Sequence, residues 1–79
     1  MKARIYISLK NGVFDPNANA IESSLVNLGF NDINNLKIGK FIDIDIANDN
    51  MEEATEQLTK MCDKLLANNV IEDYKIELK

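Results

Sequence analysis

Leu36-Lys-Ile-Gly-Lys-Phe-Ile-Asp-Ile-Asp-Ile46 is the stretch of sequence that decides the fold. Its aliphatic residues all occupy even positions, and Lys40 is the only polar residue at an even position among them. A two-residue hairpin turn at Gly39-Lys40 would turn the later isoleucines toward solvent, because a shift of one residue inverts every side chain of a strand. We therefore predict one long strand from about Asn35 to Ala47, bent at Gly39, and keep a three-residue hairpin loop as the alternative.

The length of this strand bears on the oligomeric state. At roughly 3.3 Å per residue the strand would reach about 40 Å, well beyond the common length of about five or six residues. A chain of 79 residues is too small to build a core that covers both halves of such a strand. We therefore expect a dimer in which each long strand crosses between two half-built cores. The candidate interface residues are Tyr6, Phe41, Ile42 and Ile44.

The segment Leu9-Lys-Asn-Gly-Val-Phe-Asp-Pro16 is typical of a strand end, a turn and the capped start of a helix. Asn-Gly favours turns, an aspartate accepts hydrogen bonds from the first helical N–H groups, and proline is tolerated at the first helical position. Before this segment, residues 2–10 alternate between apolar and polar, which predicts a half-buried strand. After it, apolar residues recur at helical spacing, so we predict a helix from Pro16 to about Leu28, ended by Gly29.

The remainder of the chain predicts a second helix and a closing strand. Asn50, with Glu53 three residues later, suits a helix N-terminus, and Asn68-Asn69 would end that helix. The buried face of the closing strand consists of Tyr74, Ile76 and Leu78. The order is therefore β-α-β(long)-α-β in a single domain, residues 1–79. We predict an α+β two-layer sandwich, ferredoxin-like in character, with both helices on one sheet face and strand exchange between the subunits of a dimer.

Three sequence segments occur in order along the chain and together span most of it. The first is Leu9–Pro16, followed by Ala20-Ile21 and Leu28-Gly29-Phe30. The second is Leu36–Ile46, and the third is Met61-Cys-Asp-Lys-Leu-Leu-Ala-Asn-Asn-Val-Ile-Glu-Asp-Tyr74. Together they resemble the PurS family, the small subunits of phosphoribosylformylglycinamidine (FGAM) synthase in de novo purine biosynthesis.

The resemblance implies a role in a larger assembly. A large synthetase subunit and a glutaminase subunit are the implied partners, and the complex uses ATP, Mg and glutamine to convert formylglycinamide ribonucleotide to the amidine. The small subunit is implied to bridge the other two as a dimer, to support ammonia transfer and to bind no cofactor itself. The sequence leaves open whether the homo-oligomer is a dimer or a tetramer. The candidate partner-binding residues are Lys10, Asn11, Gly12, Val13, Asp15, Pro16, Gly39 and Lys40.

Composition restricts the possible functions further. The chain has no histidine, and its single cysteine, Cys62, lies on the apolar stripe of the second helix. An intrachain disulfide and a cysteine-rich zinc site are thereby excluded, and we expect no metal site and no active site in this chain. The net charge of −4 argues against a nucleic-acid surface. With no leader pattern and no apolar run of about 20 residues, we expect a cytoplasmic protein without membrane contact.

Two other classes of function are weighed against this interpretation. A free-standing dimeric small-molecule-binding regulatory module would be stabilised by a ligand in the absence of any partner protein. A small acyl-phosphate hydrolase would need a phosphate cradle with a well-placed arginine. The only arginine is Arg4, in the middle of the first strand, which makes the hydrolase a poor fit.

Overall fold

A computed structural model describes all residues, 1–79, and has the predicted α+β architecture. The elements in chain order are β1 (Lys2–Leu9), α1 (Pro16–Asn27), β2 (Gly39–Asp45), α2 (Met51–Met61), a π-helical turn (Cys62–Leu66) and β3 (Glu72–Leu78). The three strands form one antiparallel sheet in the order β2-β1-β3. No helix has the length and apolar character needed to cross a bilayer.

The core lies between one face of the central strand β1 and helix α2. The alternation predicted for β1 is confirmed, because Ala3, Ile5 and Ile7 are buried while their neighbours face the other side of the sheet. Leu58 and Cys62 close over them and are fully buried. The partly buried residues around this core come from all three strands and from the end of α2: Ile42, Ile44, Met61, Leu66, Tyr74, Ile76 and Leu78.

Strand β2 is shorter than the predicted strand from Asn35 to Ala47. Its first residue, Gly39, pairs with Ser8, close to the point where β1 itself ends, so the preceding residues have no strand to pair with in this chain. Asn35 also has a φ of +54°, which interrupts an extended backbone. The hairpin alternative is excluded, because Gly39 and Lys40 are both paired with β1 inside one continuous strand.

Helix α1 differs from the expectation that both helices cover one face of the sheet. Helix α2 packs on the sheet and contributes Leu58 to the core, whereas no residue of α1 belongs to that core. Ile21 is 46 % exposed, and Leu28, which follows the last residue of α1, is 74 % exposed, although both belong to the apolar stripe predicted for this helix. The chain measures 49 × 25 × 14 Å, and its radius of gyration of 16.1 Å exceeds the roughly 12 Å expected of a compact domain of this length. A single chain therefore leaves this helix without an apolar partner.

Local signals nevertheless determine both ends of α1. The Asp15 carboxylate accepts hydrogen bonds from the N–H groups of Asn17 (2.9 Å) and Ala18 (3.2 Å), as predicted for the N-cap. At the other end Gly29 has a φ of +105°, which glycine adopts without strain. The N–H of Phe30 donates to the carbonyl of residue 25 and the N–H of Gly29 to that of residue 26, both at 3.0 Å, which is a Schellman motif.

Candidate functional site

The turn after β1, Lys10–Val13, carries half of the predicted partner-binding residues and is hydrogen-bonded to the start of β3. The N–H of Lys10 donates to the carbonyl of Ile71 (2.7 Å), and the Lys10 ammonium pairs with Asp73 (2.7 Å). The N–H of Val13 closes the turn on the carbonyl of Lys10 (3.2 Å). The backbone of this turn is therefore well defined, and Lys10 already has a carboxylate partner within the chain.

The same turn forms one wall of an open cleft of about 550 Å³. The opposite wall consists of residues 35–38, immediately before β2, and Lys37 bridges the two walls by donating to Asn11 Oδ1 (2.5 Å). Phe14 lies on this cleft and is 70 % exposed. The cleft thus combines an exposed aromatic ring with polar groups, and aromatic residues are enriched at protein interfaces.

The structure places Gly39 and Lys40 near this turn. Gly39 pairs with Ser8, two residues before Lys10, so both predicted docking elements lie at the same end of the sheet. A Cβ atom added to Gly39 would lie 3.0 Å from the carbonyl oxygen of Ile7, so any side chain there would crowd β1. Lys40 is exposed, although its strand position places it on the same face as the core.

The four predicted dimer-interface residues are divided between opposite faces of β2 and its neighbour β1. Tyr6 and Phe41 pair across the strands on the outer face, with ring centroids 6.3 Å apart and planes inclined at 57°. Ile42 and Ile44 are half-buried on the inner face, beside the core. Because β2 is an edge strand, the backbone N–H and C=O groups on the side away from β1 have no partner strand in this chain.

Sequence reasoning missed the exposed apolar residues of α1 as interface candidates. The periodicity predicts the apolar stripe of α1, but it does not say which surface the stripe contacts. In the structure, Ile21, Val26 and Leu28 are each more than 40 % exposed, and Phe30 just beyond the helix is 59 % exposed. The predicted long strand could have indicated them. If that strand crosses to a second copy of the chain, the helix joined to it must also contact the second copy.

The only thiol of the chain is buried, and the Asp43 and Asp73 carboxylates are paired with basic side chains. Burial raises the pKa of the Cys62 thiol, which disfavours the reactive thiolate. The Asp43 carboxylate lies against the Arg4 guanidinium, which lowers its pKa. No three side chains among histidine, cysteine, aspartate and glutamate cluster in a way that could hold a metal ion.

Comparison with known proteins agrees with the resemblance found in the sequence. A family model described as PurS, phosphoribosylformylglycinamidine (FGAM) synthase, matches residues 2–79. The chain belongs to the PurS family. It is 38 % identical to the phosphoribosylformylglycinamidine synthase subunit PurS of Bacillus subtilis over 79 residues, covering 99 % of this chain and 92 % of that protein. The PurS subunit of Archaeoglobus fulgidus is 43 % identical over 76 residues, covering 96 % and 95 %.

Solved PurS structures share the fold. Methanocaldococcus jannaschii PurS, described as one of the subunits of formylglycinamide ribonucleotide amidotransferase in the purine biosynthetic pathway, superposes with a TM-score of 0.85 at 44 % identity. The superposition covers 99 % of this chain and 94 % of that chain. A chain in the structure of PurLQS from Thermotoga maritima superposes with a TM-score of 0.87 at 32 % identity, covering 96 % and 93 %. The ferredoxin-like expectation is consistent with these PurS folds.

Proposed function

We propose that this PurS chain is a non-catalytic subunit of FGAM synthase in purine biosynthesis. It bridges the large synthetase subunit and the glutaminase subunit in the cytoplasm and supports the transfer of ammonia between them. The complex uses ATP, Mg²⁺ and glutamine, and this chain binds none of them. The observation that carries the proposal is the close superposition on a chain of PurLQS from Thermotoga maritima over nearly the full length of both chains.

The chemistry of the chain supports a role in recognition. A glutaminase needs an activated nucleophile, and activation requires a general base or a lowered pKa. This chain has no histidine, and its one thiol is buried with a raised pKa. In the proposed complex the nucleophile therefore belongs to the glutaminase subunit, and this chain contributes surfaces that exclude water from the path of ammonia.

A second copy of the chain is the proposed occupant of the free edge of β2. Residues 36–38 of one copy would pair with β2 of the other, and α1 would then cover the inner face of the partner's sheet. Leu36 and Ile38 share the parity of Ile42 and Ile44, so all four side chains would join one apolar face. The large radius of gyration is what a chain extended between two cores would have, and a second copy would cover the exposed apolar stripe of α1.

Light scattering coupled to size-exclusion chromatography tests the exchanged dimer. Ile21→Asp places a charge on the apolar stripe of α1 and should shift the protein to monomers, because burying an unpaired carboxylate is costly. Ser23→Asp introduces the same charge on an exposed position of the same helix and should leave a dimer. Monomeric wild-type protein, or a dimer that tolerates both substitutions equally, would contradict the exchange through α1.

The proposed docking surface comprises the turn Lys10–Val13, the helix start at Asp15-Pro16 and the Gly39-Lys40 pair. Asp15→Ala should cost about 1 kcal/mol of stability through the lost cap. Asp15→Asn preserves a capping side chain and serves as the matched control. If Asp15→Ala abolishes binding to the partner subunits while the dimer remains folded, Asp15 is a contact as well as a cap. Binding that follows only the change in stability would limit Asp15 to the cap.

Reconstitution tests the function itself. Purified large and glutaminase subunits are mixed with formylglycinamide ribonucleotide, ATP and glutamine, and amidine formation is followed with and without this chain. We expect glutamine-dependent activity only when the chain is present, while ammonia-dependent activity of the large subunit changes little. If addition of the chain changes neither activity, the coupling role is wrong.

A further inference from the structure

Asn11-Gly12 is the only Asn-Gly pair in the chain, and both residues are exposed. The N–H of Gly12 donates no hydrogen bond to any backbone or side-chain acceptor. Gly12 has a φ of +87°, and a Cβ atom built on it would meet nothing within 4 Å. Because Gly12 is exposed and its N–H has no acceptor in the chain, its amide nitrogen is open to solvent and free of a hydrogen bond that would hold its proton.

The side-chain amide of Asn11 is polarised at its oxygen. Lys37 Nζ donates to Asn11 Oδ1 at 2.5 Å, so a positive charge lies where negative charge would develop if a nucleophile added to Cγ. A donor aimed at a developing oxyanion lowers the barrier to acyl transfer. An unshielded nitrogen and an activated amide carbon are thus neighbours in the same exposed turn.

We propose that Asn11 is a site of spontaneous deamidation in the free chain, assisted by Lys37. The Gly12 nitrogen loses its proton to water or hydroxide and forms a bond to Asn11 Cγ. The bond from Cγ to the side-chain nitrogen then breaks, and that nitrogen leaves with a proton as ammonia. Water adds to either carbonyl of the resulting succinimide ring and opens it, which leaves aspartate or isoaspartate at this position. No oxidant or reductant takes part.

The reaction changes the charge and, in one product, the backbone of the turn. The net charge of −4 becomes one unit more negative, and the new carboxylate lies beside Lys37. Isoaspartate also adds a carbon to the main chain between residues 11 and 12. Because the turn is part of the proposed docking surface, any effect of deamidation on binding to the partner subunits rests on the proposed function. The deamidation of the free chain does not depend on that function.

Peptide mass mapping of the folded protein during incubation at mildly alkaline pH tests the chemistry. Asn69, in an exposed loop, is the internal reference. We expect Asn11 to convert at least roughly tenfold faster, a barrier difference on the order of 1.4 kcal/mol. Asn11→Gln should remove the signal. Conversion of Asn11 in the wild type that is no faster than that of Asn69 would overturn the proposal.

Lys37→Met keeps a long side chain and removes the charge, so it tests the assistance. The rate of Asn11 conversion should fall by about fivefold, since a tenfold change in rate corresponds to about 1.4 kcal/mol of activation free energy. Circular dichroism checks that the variant retains the fold. An unchanged or faster conversion in folded Lys37→Met would overturn the role of Lys37.

A final comparison separates this proposal from the proposed function. The rate at Asn11 is measured for the free chain and for the chain mixed with its large and glutaminase partners. Slower conversion in the mixture supports the turn as a docking surface. Equal rates, with rapid conversion of the free chain, would overturn the docking of this turn while the deamidation site stands.

Discussion

Arg4 and Asp43 face each other across β1 and β2 and form a two-point ion pair. Arg4 Nε lies 2.7 Å from Asp43 Oδ1, and Arg4 Nη2 lies 3.0 Å from Asp43 Oδ2. The guanidinium carbon of Arg4 also lies 4.2 Å from the centroid of the Phe41 ring. The outer face of the sheet is therefore organised around Arg4, and the pair joins β2 to β1 on the side opposite the core.

The stability contribution of this pair should depend on pH. Arg4 lowers the pKa of Asp43 below its ordinary value of 3.8, so the contribution is present above that value and is lost as pH falls through the folded-state pKa. Asp43→Asn should lower the melting temperature at neutral pH by a few degrees at most, because the pair is exposed. The melting temperatures of the wild type and Asp43→Asn should converge as the pH is lowered from neutral to strongly acidic. A difference in melting temperature that persists in acid would contradict the prediction.

Leu58→Ala should be among the most destabilising substitutions in the chain. Leu58 is fully buried against β1, and removing a buried leucine side chain costs roughly 2–5 kcal/mol of the free energy of unfolding. Leu65→Ala is the matched control, because Leu65 lies in the following π-helical turn and is 83 % exposed. Urea denaturation measures both. Equal losses would show that the core does not lie under α2, and if Leu58→Ala fails to fold, the milder Leu58→Met is measured in its place.

Cys62 should be unreactive in the folded protein. The side chain is fully buried in the core, and burial raises the pKa of its thiol. Alkylation by iodoacetamide at neutral pH should be much slower for the folded chain than for the chain in urea, with glutathione as a free-thiol reference. Rapid alkylation without denaturant would contradict the burial of Cys62 beneath the sheet.

Tyr74 should titrate above the ordinary value for tyrosine. Its hydroxyl donates to Asp63 Oδ1 (3.0 Å), and this bond to a carboxylate raises the pKa of Tyr74 above 10.0. A raised pKa means that the stabilisation is present below the unfolded-state pKa and is lost as pH rises through the folded-state value. Ultraviolet titration in a Tyr6→Phe background isolates Tyr74. Asp63→Asn should lower its pKa, and no change would contradict the role of Asp63.

Several elements could be predicted from the sequence because their determinants are local. The alternation of residues 2–10 places Ala3, Ile5 and Ile7 in the core, since strand periodicity depends only on the pleat. The N-cap at Asp15 and the glycine at position 29 determine the ends of α1 through bonds within a few residues. The family resemblance, too, was visible in three short segments and is confirmed by the comparisons.

Tertiary structure alone decided where those elements lie. The apolar stripe of α1 showed that the helix needs a partner, but periodicity does not say whether that partner is in the same chain or in a second copy. The end of β1 at Leu9 limits how many residues of β2 can pair. The alternation of apolar residues therefore predicted which face of β2 is buried but not where the strand begins. Tyr6 and Phe41 lie on the outer face of the sheet, and Ile42 and Ile44 lie on the inner face, because the register with β1 assigns each residue to a face. Side-chain pattern is a property of the sequence, whereas strand pairing depends on contacts between segments that are distant in the chain.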